Sequence, residues 1–61
     1  MLEKGDKVLV RDGELIFEGE IMGVSAHEDT WYHVEPGIGF IKTAGGTQWY
    51  HEDKVSLINN V

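Results

Sequence analysis

Eight glycines divide the chain of 61 residues into short pieces, and no 20-residue stretch carries a helical apolar period. Helices need apolar residues at a spacing of about 3.6, whereas these pieces alternate apolar and polar residues, the period of a strand. Asp6 to Arg11 places Val8 and Val10 on one face and Lys7, Leu9 and Arg11 on the other. Asp12-Gly13 marks a turn. Leu15 to Val24 reads as a longer second strand, with Gly19 and Gly23 on the face shared by Phe17 and Ile21. Glycines spaced in this way within a strand predict a bulge or bend, so that one strand serves two sheet faces. Ser25 to Asp29 is a polar loop, and Thr30 to Glu35 a third strand. Pro36-Gly37 turns the chain. Ile38 to Thr43 is expected as a fourth strand, closed by the turn Ala44-Gly45-Gly46. Thr47 to Tyr50 is a short strand, His51 to Lys54 has the length of one 3₁₀ turn, and Val55 to Ile58 is the last strand.

Five or six strands in so short a chain are too few for an ordinary two-sheet sandwich. A small, strongly bent barrel is the economical all-β solution, because closure removes exposed edges. The whole of residues 1–61 forms one domain in this reading. The expected core is Val8, Val10, Phe17, Ile21, Tyr32, Val34, Ile41, Val55 and Leu57. A domain of this size buries only about 60% of its unfolded surface. With no cysteine in the sequence, neither a disulfide nor a thiolate-held zinc can add stability. Tight packing or self-association must supply it, so a homo-oligomer is one expectation.

The charge narrows the partners. Five Lys and Arg against eleven Asp and Glu leave a net charge of −6. Lys4, Lys7, Arg11, Lys42 and Lys54 are scattered, so direct binding of a nucleic-acid backbone, which needs clustered cations, is not expected. The carboxylates form three groups: Asp12, Glu14, Glu18 and Glu20; Glu28 and Asp29; Glu52 and Asp53. They provide a solubilising coat, a face for a basic protein, or a mimic of nucleic-acid charge. Apolar runs of three or four residues cannot span a bilayer, and the first residues carry no signal-peptide hydrophobic stretch, so a cytoplasmic protein is the expectation.

Reactive chemistry has little support. His27, His33 and His51 follow no standard metal-ligand spacing, although His33 and His51 could meet on adjacent strands near Glu35 or Glu52. Ser25 and Ser56 lie in no nucleophile elbow. Gly37-Ile38-Gly39 and Gly45-Gly46 lack the helix and Lys-Ser or Lys-Thr of a phosphate loop. The aromatics Phe17, Trp31, Tyr32, Phe40, Trp49 and Tyr50 carry more information. In each of the pairs Trp31-Tyr32 and Trp49-Tyr50, strand alternation sends one ring inward and the other outward. The exposed members either cover a barrel end or subunit contact, or form a binding patch rimmed by acid groups. The candidate binding residues are Trp31, Trp49, Tyr50, Glu28, Asp29 and Glu52.

The single turn before the final strand resembles the organisation of SH3-like barrels. Within that class, Gly5-Asp6-Lys7-Val8, Gly19-Glu20-Ile21-Met22-Gly23, Tyr32-His33-Val34-Glu35 and Thr47-Gln48-Trp49-Tyr50, with the tail Leu57-Ile58-Asn59, resemble the plasmid-borne type II dihydrofolate reductases. That resemblance implies a homotetramer around a central pore. It would bind NADPH and dihydrofolate, with Gln48, Trp49 and Tyr50 at the pore wall. The family's pore lysine falls at Val10 and its pore isoleucine at Trp49. Those two replacements remove the positive potential and fill the shared space, so the resemblance carries the barrel further than the reductase. Gly-Asp-x-Val starts also occur in KOW-like barrels, which leaves a nucleic-acid-related protein or DNA mimic as a further alternative. The leading expectation is a non-catalytic protein-interaction module needing no cofactor, of a size suited to an accessory protein of a phage or mobile element.

Overall fold

The structure, a computed structural model, describes residues 1–37 and 48–58. Among these residues it is all-β: five antiparallel strands form one sheet, with a 3₁₀ turn before the last strand. The strands are β1 (Lys7–Asp12), β2 (Leu15–Ala26), β3 (Thr30–Pro36), β4 (Gln48–His51) and β5 (Val55–Leu57). The strand expected at Ile38 to Thr43, the turn Ala44-Gly45-Gly46, and the residues Ile41 and Phe40 lie outside the described residues.

The sheet order is β4-β3-β2-β1-β5. β2, twelve residues long, is its spine. Its first half pairs with β1, from Asp12↔Leu15 to Lys7↔Glu20. From Gly19 to Ala26 it pairs with β3. Gly13 takes φ +64° in the β1–β2 turn, a conformation that favours glycine.

Connectivity forces curvature. β4 and β5 occupy the two edges of the sheet, yet only the 3₁₀ turn Glu52–Lys54 joins them. In a flat sheet those edges would lie four spacings apart, roughly 19 Å. A three-residue 3₁₀ turn advances only about 6 Å. The sheet therefore curls until its edges approach each other at that corner. Among the described residues β4 and β5 form no ladder with each other, and the sheet they bound is curled and not closed.

The concave face carries the core: Val8, Val10, Phe17, Ile21, Tyr32, Val34, Tyr50 and Val55. Leu2 and Leu15 pack against it. Phe17 on β2 and Tyr50 on β4 meet edge to face at 5.6 Å although β3 lies between their strands, a direct consequence of the curl. Seven of the nine expected core residues are thus buried. Leu57, at the end of an edge strand, is 54% exposed and does not belong to the core. Tyr50, expected on the binding surface, fills a core position instead.

The expected bulge lies between Ile21 and Gly23, and it reverses the facing of the later part of β2. Ile21 pairs with Val34, then Met22 is passed over and Gly23 pairs with His33. Simple alternation would leave Gly23 beside Ile21 in the core. The extra residue moves it to the convex face instead.

Candidate binding face

The convex face of β2, β3 and β4 is built from alternate residues. Tyr32, Val34 and Tyr50 point inward, so Trp31, His33, Trp49 and His51 point outward. The register sets Trp31 opposite His51 and His33 opposite Trp49. Both cross-strand pairs make ring contacts.

Trp49 stacks on His33, with centroids 4.8 Å apart and planes 12° apart. Its indole extends across β3 as far as β2: a Cβ built on Gly23 would sit 3.7 Å from the indole Cη2 and 3.7 Å from His33 Cβ. The bulge thus places the one residue without a side chain under the outer corner of the indole. Trp49 lies flat across three strands while remaining 48% exposed.

Trp31 and His51 form the second pair, edge to face at 5.1 Å and 84°. Trp31 is 42% exposed. His51 ends β4 and caps the 3₁₀ turn. Its Nδ1 lies 3.3 Å from the Asp53 backbone nitrogen and 2.9 Å from Asp53 Oδ1. Its Nε2 lies 3.6 Å from Asp29 Oδ2, on the loop between β2 and β3. The hydrogen bond with Asp53 raises the His51 pKa above the usual 6.5; partial desolvation opposes this, and the negative charges of Asp53, Asp29 and Glu52 reinforce it. The same hydrogen bond lowers the pKa of Asp53 below 3.8.

Glu28, Asp29 and Glu52 are exposed beside this face, Glu28 and Asp29 on the β2–β3 loop and Glu52 in the 3₁₀ turn. Tyr50 is on the opposite side of the sheet, its phenol pKa raised by burial and by the charge of Asp12. His33 and His51, weak metal-ligand candidates by their spacing in the sequence, complete the face. The signal was in the alternation: residues 31, 33, 49 and 51 are all aromatic or imidazole at every second position of two strands. They do share a face on adjacent strands, but each meets an indole, and no described group of three or more His, Asp and Glu could hold a metal ion.

Elsewhere, an open depression of about 550 Å³ lies among Lys7, the Glu18–Glu20 segment, the Glu35–Gly37 segment and Ile58. Lys7 pairs with Glu20 there, at the surface. Its described lining includes no serine, threonine, cysteine or histidine. Among the described residues no helix is long and apolar enough to cross a membrane. No known protein family, curated protein or solved structure matches the chain.

Proposed function

We propose that this chain is a non-catalytic, SH3-like interaction module that binds a basic segment of a partner protein on the Trp31–Trp49 face. The observation that carries this reading is the pair of half-exposed indoles on one sheet face, beside the carboxylates of Glu28, Asp29, Glu52 and Asp53. A half-exposed Trp costs hydration without contributing to the core, and two on one face mark a docking surface. An indole face attracts a cation by about 0.5–2 kcal/mol, and nearby carboxylates add charge complementarity. The 3₁₀ turn before the last strand supports the SH3-like assignment.

The reductase reading puts Gln48 and Tyr50 on a pore wall with Trp49 between them. Tyr50 is instead buried against Phe17 in the core, which favours the interaction reading. A DNA mimic would need the acidic coat alone and would leave the stacked Trp49 without a use. The test is calorimetric titration of a capped basic peptide into the wild type and into a Trp31→Ala, Trp49→Ala double variant at pH 9. Binding by the wild type that is lost in the double variant supports the proposal. Equal binding by both proteins, or turnover of NADPH and dihydrofolate by the purified chain, overturns it.

A further inference from the structure

His51 stands where a bound cation would compete with a proton. Its Nδ1 faces two groups of Asp53 that require opposite states. With a proton, Nδ1 donates to Asp53 Oδ1 at 2.9 Å; without one, it accepts from the Asp53 N–H at 3.3 Å. On the other side Nε2 faces Asp29 Oδ2 at 3.6 Å. Trp31 covers the ring from β3. The charged groups around His51 are therefore Asp53 and Glu52 from the 3₁₀ turn and Asp29 from the β2–β3 loop, all negative. Lys54, in the same turn, is directed to Asp12 at 3.7 Å.

We propose that an arginine or lysine side chain of the partner and the proton on His51 compete for the Asp29–Asp53 corner beside Trp31, so that binding strengthens as pH rises through the His51 titration. This inference rests on the Trp31–Trp49 face being the binding surface. Protonated His51 already matches the charge of Asp29 and Asp53 and repels an arriving cation. Neutral His51 carries no charge to match the carboxylates: its Nδ1 accepts from the Asp53 N–H and frees Asp53 Oδ1 for the ligand, while its one proton, on Nε2, faces Asp29 only as a neutral donor. The raised His51 pKa agrees with this arrangement, because the groups that hold its proton are the ones a cation would use.

The probe is a capped peptide of alternating glycine and arginine, since arginine keeps its charge across the range. Calorimetry at pH 5.5 and pH 9 should show at least about fivefold tighter binding by the wild type at the higher pH, in the usual range of coupling between sites. His51→Gln should bring that ratio close to one, whatever its absolute affinity. Asp29→Asn, on an exposed loop, should weaken binding at pH 9 and shrink the ratio. Linkage also requires that saturating peptide lower the His51 pKa followed by NMR. Equal wild-type affinity at both pH values, a ratio that persists in His51→Gln, or an unmoved His51 pKa overturns the competition and leaves the binding face standing. No wild-type binding at either pH, or unchanged binding by the Trp31→Ala, Trp49→Ala protein, overturns both.

Discussion

Replacing Gly19 with alanine should be among the most damaging one-carbon changes in this protein. Gly19 lies on the core face of β2, where β3 crosses closely. A Cβ there would sit 2.5 Å from the Glu35 carbonyl oxygen and 2.8 Å from Val34 Cγ1. Neither atom can swing aside. The oxygen is backbone, and Val34 is fully buried. Relief requires β3 to move away from β2, and overpacking of this kind costs about 1–3 kcal/mol. Alanine restricts the unfolded chain and returns about 0.4–1 kcal/mol. The net loss is about 1.3 kcal/mol at the middle of those ranges. A chain of 61 residues has only about 3–9 kcal/mol in total. Each kcal/mol moves the melting temperature of so small a domain by about 4–8 °C, so Gly19→Ala should melt about 5–10 °C lower. Gly23→Ala is the matched control on the same strand. Its Cβ would meet His33 and Trp49 at ordinary contact distances of 3.7 Å, and its stability should be unchanged or up to about 1 kcal/mol higher. Thermal melts followed by circular dichroism compare the two. If they melt within about 2 °C of each other, the close crossing of β2 and β3 does not constrain residue 19.

Ile21→Ala, at a fully buried site, should cost about 2–5 kcal/mol in urea unfolding, whereas Leu57→Ala, at a position 54% exposed, should cost less than about 0.5 kcal/mol. A double-mutant cycle on His33 and Trp49 should return a coupling of about 0.5–1.5 kcal/mol, as expected of stacked rings; additive losses would contradict the stacking. The His51–Asp53 pair also predicts a pH dependence with a definite sign. The raised His51 pKa contributes stability that is complete below about 6.5 and is lost as pH rises through the folded value, and the lowered Asp53 pKa contributes stability present above 3.8 and lost in stronger acid. The pair therefore stabilises most between those limits, and Asp53→Asn should flatten the fall in stability from pH 6 to pH 9 while lowering the His51 pKa measured by NMR.

The strands were legible because their physics is local. Alternation at Lys7–Asp12 and Thr30–Pro36, each followed by a glycine (Gly13 and Gly37), identifies β1 and β3 and their inward residues without reference to the rest of the chain. Leu57 shows where that reasoning fails. Alternation places it on the same face as Val55, but burial depends on what lies opposite, and the end of an edge strand has little above it. Tyr50 shows the same limit from the other side. Either member of the Trp49-Tyr50 pair satisfies alternation, and only the contact with Phe17 across the curled sheet selects the tyrosine.

Taken alone, the order of residues determined an all-β chain, a bulge or bend within β2, a 3₁₀ turn before the last strand, and an acidic surface with one outward ring on each aromatic strand. These come from backbone sterics, side-chain alternation and charge, which act over a few residues. The tertiary structure decided the rest: that β4 and β5 are opposite edges drawn together by three residues, that the bulge turns Gly23 outward, and that Trp49 can therefore lie over His33 beside the Trp31–His51 pair. Those outcomes depend on which strands become neighbours and in what register, and that choice is made by packing between segments far apart in the chain.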